Sequence, residues 1–84
     1  MSKLKKSFEK AAADAQKITE RPSNDDLLKL YAFYKQATDG DVQGKRPGMM
    51  DLKGRAKYDA WAKIEGMSAD DAMQGYIDLV DSLK

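Results

Sequence analysis

The chain has 84 residues, fifteen of them basic and fourteen acidic, for a formal charge of +1, with no cysteine and no histidine. Disulfides, thiol nucleophiles, imidazole bases and the usual zinc ligands are therefore excluded, and so small a domain must build its core without staples. The balanced charge argues against bulk nucleic-acid binding.

Carboxylates, lysines, arginines, hydroxyls and tyrosines are the polar groups left, a poor set from which to build an enzyme. The expectation is one domain over residues 1–84, with no catalytic residues, no cofactor and no metal site. Met1 to Lys6 is charged rather than apolar, and no window approaches the roughly eighteen apolar residues of a membrane span. Neither a secretory signal nor stable membrane insertion is expected, and the cytosol is the expected location.

Leu4, Phe8, Ala11, Ala12 and Ala15 recur at helical offsets and predict a first helix over residues 4–16. Pro22-Ser23-Asn24-Asp25-Asp26 supplies a serine cap with an acid three residues on, so a second helix starts there and runs to Gly40. The third is predicted from Asp51 to about Glu65, with Leu52, Ala56, Ala60 and Ile64 on one stripe and Gly66 as the stop. Ser68-Ala69-Asp70-Asp71 repeats the cap, and the fourth helix follows with Ala72, Met73, Tyr76, Ile77, Val80 and Leu83 inward. No alternating run bounded by hairpin residues suggests a strand.

Short links join the first helix to the second and the third to the fourth, which makes each pair antiparallel, whereas Gly40 to Met50 is long enough to cross the molecule. The fold class that follows is all-α: an up-down-down-up four-helix bundle with a long crossover loop between helices 2 and 3. A loop of that length in so small a domain is expected to be functional or mobile.

Charge is unevenly spread. Residues 45–57 carry a local balance of +4 and residues 68–84 one of −3, so a small polyanion is steered to the first region. Helix 2 has Lys29 and Gln36 as its polar back, while Lys35 projects between Tyr31 and Leu28. An ammonium on the flank of an apolar stripe is costly without an anion to meet it, which implies an anionic ligand with a flat or apolar body. On helix 3, Lys53 and Lys57 fall among Ala60, Trp61 and Ile64, while Arg55, Asp59 and Lys63 share the side of Leu52. If helices 2 and 3 lie side by side, Lys35 and Lys57 can converge on one phosphate with the Tyr31 hydroxyl. Leu27, Leu28 and Ala56 leave apolar surface beside it for a hydrocarbon chain.

The run PSNDDLLKLYAFYKQATDG, followed by RPGMMDLKGRAKYDAWAKIEG and then DAMQGYIDLV, closely resembles the acyl-CoA-binding protein family from about Phe8 onward. The resemblance implies a bundle that binds medium- and long-chain acyl-CoA in the cytosol without catalysis. By the family pattern, Tyr31, Lys35 and Lys57 bind the 3'-phosphate of the CoA ribose, and Ala12 and Tyr34 border the adenine. Tyr76 closes the site from the last helix, Lys53 adds positive field, and the acyl chain lies on Leu27, Leu28 and Ala56. Long-chain acyl-CoA is the implied partner, with transient contact to acyl-CoA-using enzymes, from a protein expected to be a monomer. Two departures stand out: Gln16 where members often have a lysine, and Tyr58 where tryptophan is common, which leaves Trp61 as the sole indole.

Plainer readings exist for the same residues. Tyr31 and Tyr34 alone suit a core, Lys35 alone suits a snorkelling cation, and Lys53 and Lys57 suit a solvated face paired to acids such as Asp51. Trp61 is expected in the core, Met49, Met50, Met67 and Met73 as gap-fillers, and Ser23 and Ser68 as caps, not nucleophiles. A helical protein-interaction module is the alternative function. A thioester hydrolase would require a nucleophile or base that the chain does not display.

Overall fold

The computed structural model describes residues 3–84 as four helices: α1 (Lys3–Ala15), α2 (Asn24–Thr38), α3 (Leu52–Ala62) and α4 (Ala69–Leu83). Among the described residues no strand forms. The Ser23 hydroxyl accepts the Asp26 N–H at 3.1 Å and that of Ser68 accepts the Asp71 N–H at 3.0 Å, so both serines are caps, each above an acidic first turn that suits the helix dipole. Asp51 caps α3 by accepting the Gly54 N–H at 3.0 Å. Helix α3 is shorter than its sequence suggests. After Ala62 the chain tightens into i→i−3 bonds, Ile64 to Trp61 and Glu65 to Ala62, and Gly66 turns it at φ +89°.

Cross-helix contacts give the directions of the helices. Lys84, just past the end of α4, pairs with Asp14 near the end of α1, so these two run parallel. Gln36, late in α2, reaches the Met67 carbonyl just before α4, so α2 and α4 are antiparallel. Gln36 also meets Trp61, late in α3, while Leu28 and Ala56 share a groove nearer the two starts, so α2 and α3 run parallel. The topology is the expected up-down-down-up bundle, with residues 39–51 as the crossover between α2 and α3.

The core sits where α4 meets α1 and α2: Phe8, Ala11, Leu30, Ala37, Ala72, Tyr76 and Val80 are buried, with Met67, Met73, Ile77 and Leu83 packed around them. Gly75 lets α2 and α4 approach closely, since a Cβ there would stand 2.7 Å from the Phe33 ring. Helix α3 packs on α2 and buries a single residue, Trp61. That leaves the α2–α3 seam uncovered by another layer.

Three sequence expectations change. Gln36 is not on the polar back of α2 but is 2% exposed, the one buried polar residue among those described. Its amide donates to Asp41 Oδ1 and to the Met67 carbonyl, both at 2.8 Å, and Oε1 accepts the Trp61 indole N–H at 3.1 Å. The same indole N–H reaches the Gly40 carbonyl at 2.9 Å, and Asp41 also accepts the Gly66 N–H at 2.7 Å. One side chain thus joins the ends of α2 and α3, the start of the crossover and the entry to α4, which is why a polar group is tolerated there. Leu52, expected on one apolar stripe with Ala56, Ala60 and Ile64, and Met49 and Met50, expected as gap-fillers, are 74%, 78% and 100% exposed, because the first turn of α3 and the turn before it stand clear of the other helices.

Besides the Trp61–Gly40 bond, two contacts fasten the crossover to α3. Arg46 makes a forked pair with Asp59, Nε to Oδ1 at 2.9 Å and Nη2 to Oδ2 at 2.7 Å, and the Tyr58 hydroxyl donates to the Gly44 carbonyl at 3.2 Å. A tryptophan at 58 has no hydroxyl to make that bond.

Candidate functional site at the α2–α3 seam

Parallel helices carrying alanines at facing positions leave a furrow, because a methyl cannot fill the space a leucine would. Ala32 of α2 with Ala56 and Ala60 of α3 do this here, and Leu28, Phe33 and Ile64 complete an apolar lining about 600 Å³ in volume. Asp25, Lys29, Asp59 and Lys63 form its charged rim. Leu28 and Ala56, two of the three side chains expected to support a hydrocarbon chain, therefore share one groove. The third, Leu27, is half-buried one turn before Tyr31 on the same face of α2. A second hollow of about 690 Å³ lies at the ends of α1 and α4 among Lys10, Asp14, Lys17 and Lys84, and there Lys84 is already paired to Asp14 and Asp81. Its lining is mostly polar, and none of the expected site residues belongs to it.

Cations and phenols meet on the flank of the seam. The Lys57 ammonium stands 5.4 Å from the centroid of the Tyr31 ring, joining α3 to α2 through a cation–π contact. Lys35, one turn beyond Tyr31, rests 5.3 Å over the Trp61 ring. Its pKa is raised, first by a hydrogen bond with Asp39 and more weakly by the field of Asp39, Tyr31 and Tyr34. The anion this lysine was expected to require is thus partly supplied within the chain, by an i,i+4 pair with Asp39 that is half-buried on the lysine side and exposed on the aspartate side. Asp39 stands four residues after Lys35, the spacing of a helical ion pair, but was not singled out from the sequence.

Tyr34 is exposed, and its ring approaches Phe8 of α1 at 5.6 Å and Tyr76 of α4 at 6.1 Å. Phe8 and Tyr76 meet edge to face at 5.2 Å, which builds a three-ring cluster from three helices. Ala12, one turn after Phe8, is half-buried on the same side of α1. Tyr76 is buried, and burial pushes its hydroxyl pKa up, with the Tyr34 phenol adding to the effect. Lys53 is exposed on α3 one turn before Lys57. Asp51 does not pair with Lys53 or Lys57, being the α3 cap.

Helices α2 and α3 thus carry an apolar furrow between them and, outside its lining, two ammonium groups from different helices, two phenols and a platform of aromatic rings. Such a surface can hold an amphiphile with a phosphorylated head: the cations for phosphate oxygens, the rings for a flat base, the furrow for an alkyl chain.

Comparison with known proteins covers nearly the whole chain. Residues 5–80 match the family model described as acyl-CoA-binding protein. An acyl-CoA-binding protein of Brassica napus is 54% identical over 80 residues, covering 95% of this chain and 87% of that one. Acyl-CoA-binding protein homolog 1 of Caenorhabditis elegans is 51% identical over 77 residues, covering 92% and 90%. The crystal structure of Oryza sativa acyl-CoA-binding protein 2 superimposes with a TM-score of 0.91 at 46% identity, covering 95% of this chain and 87% of that one. With its bundle topology and nearly its whole length matched, the chain belongs to the acyl-CoA-binding protein family.

Proposed function

We propose that this protein is a non-catalytic binder and carrier of medium- and long-chain acyl-CoA esters, acting as a single-domain monomer in the cytosol. Family membership supports the ligand class. The observation that carries the reading to particular residues is the Lys57 ammonium on the Tyr31 ring, 5.4 Å from its centroid, a contact that joins α3 to α2 one turn before Lys35.

In this reading the 3'-phosphate of the CoA ribose takes charge-assisted hydrogen bonds from Lys35, Lys57 and the Tyr31 hydroxyl, and Lys53 adds positive field from one turn away. Ala12 and Tyr34 border the adenine, and Tyr76 backs Tyr34 from α4. The acyl chain lies on Leu27, Leu28 and Ala56, where each methylene withdrawn from water contributes about 0.8 kcal/mol. Bound chains are shielded from water and membranes until an acyl-CoA-using enzyme receives them.

Calorimetric titration of delipidated protein with palmitoyl-CoA, free CoA and palmitate tests this. Tight binding of the thioester, weaker binding of CoA and little of palmitate is expected, with affinity rising along a series of longer chains. Equal affinity for palmitate and palmitoyl-CoA, or a flat chain-length series, would contradict it.

A further inference from the structure

Among the described residues, three of the four large apolar side chains most exposed to solvent lie within four consecutive positions: Met49 at 78%, Met50 at 100% and Leu52 at 74%. They occupy the turn that closes the crossover, where the Asp51 N–H donates to the Gly48 carbonyl, and the first residue of α3. Single exposed apolar residues are ordinary, but three together on one projecting tip leave water in contact with a continuous apolar surface.

Cations flank the tip along the chain. Residues 45–57 hold five basic side chains against one acid within the segment, and that acid, Asp51, is engaged in capping α3. Arg46 is committed to Asp59, while Lys45 and Lys53 are exposed and Arg55 is half-exposed. Apolar side chains ringed by lysine and arginine fit the interfacial zone of an anionic bilayer, where hydrocarbon lies just beneath a plane of phosphate. A protein partner is a poorer fit, since a specific interface needs roughly 800 Å² on each side, more than one convex turn presents.

We propose that Met49, Met50 and Leu52, with Lys45, Lys53 and Arg55 around them, form a docking surface for the anionic face of a phospholipid bilayer. Contact is peripheral and reversible: the apolar tips enter the headgroup region and the cations meet lipid phosphate. Leu52 lies one turn from Ala56 on the seam, so docking sets the end of the furrow at the lipid surface, a consequence for acyl-CoA exchange that rests on the function proposed above.

The test is cosedimentation of the intact chain, without acyl-CoA, with vesicles of phosphatidylcholine alone and of phosphatidylcholine mixed with phosphatidylserine. Binding to the mixed vesicles only, weakening as salt rises, is expected. The triple variant Met49→Ser, Met50→Ser, Leu52→Ser should lose on the order of tenfold in vesicle affinity while its palmitoyl-CoA titration stays at the wild-type value. A Met50→Trp variant should show blue-shifted emission on mixed vesicles. Absence of binding to mixed vesicles, undiminished binding by the triple variant, or dimerisation through the tip in place of vesicle binding would overturn the proposal. Because the vesicles carry no acyl-CoA, a failure here is distinct from a failure of the acyl-CoA reading.

Discussion

Replacing Gln36 with leucine removes the side chain that ties together four segments of the bundle. The amide makes two donated bonds of 2.8 Å and accepts one of 3.1 Å, at a position 2% exposed. Each net bond contributes about 1 kcal/mol, and a buried partner left without one costs about 1 to 3 kcal/mol. Two of the partners keep an alternative: the Trp61 indole still donates to Gly40 and Asp41 still accepts from Gly66. The Met67 carbonyl loses this bond outright. Leucine recovers part of the loss through its apolar surface, so Gln36→Leu should destabilise by roughly 2 to 4 kcal/mol. For a chain of this size, with a total stability of about 4 to 12 kcal/mol, that is a large fraction. Gln36→Glu should be worse near neutrality, because it sets a carboxylate against two acceptors, Asp41 Oδ1 and the Met67 carbonyl. Urea unfolding followed by emission from Trp61, the sole indole, measures both. A loss below about 0.5 kcal/mol for Gln36→Leu would show that the hydrogen bonds across this joint contribute nothing net, and would refute the reasoning.

Further outcomes follow from the site. Lys57→Ala should weaken palmitoyl-CoA by roughly 1 to 3 kcal/mol with stability little changed; calorimetry with the 3'-dephospho analogue should show almost none of that loss, and an equal loss for both ligands would contradict a 3'-phosphate role. Asp39→Asn removes the internal competitor for Lys35 and a negative charge near the expected phosphate, so affinity should rise about two- to fivefold at low salt, with the gain shrinking as salt is added. Unchanged affinity in that titration would mean that Asp39 swings aside without cost. Tyr76 has its pKa raised above the usual 10.0 by burial, so the protonated phenol is favoured in the fold. The stability linked to it is present below pH 10.0 and lost as pH rises through the folded value, and Tyr76→Phe should flatten the alkaline fall of the urea midpoint.

The parts of the fold legible from residue order were those with local causes. Ser23 and Ser68, each followed by acids, marked two helix starts, and the apolar stripe of α4 identified Ala72, Tyr76 and Val80 as core. Gln36 was misread because its burial depends on Met67, thirty-one residues away, and on a crossover aspartate that no helical periodicity relates to it. Leu52, Met49 and Met50 were misread for the opposite reason. Their residue types favour the interior, but α3 touches only α2, and its first turn has no layer above it. The conjunction of Tyr31 with Lys57 was legible once α2 and α3 were taken to lie side by side, an arrangement that two short links and one long crossover allow. The Asp39 contact on Lys35 was within reach of the i,i+4 rule but hidden by its place at the helix end. The three-ring cluster draws on three helices, and only the fold assembles it.

The central claim is that one phosphate sits between lysines from two parallel helices while a fatty chain follows the seam between them. A crystal structure with palmitoyl-CoA bound tests this most directly. The account predicts the 3'-phosphate within hydrogen-bonding distance of Lys35 Nζ, Lys57 Nζ and Tyr31 Oη, with the alkyl chain against Leu28 and Ala56. A phosphate lodged instead in the hollow between the ends of α1 and α4, or a chain that leaves the seam empty, would contradict it.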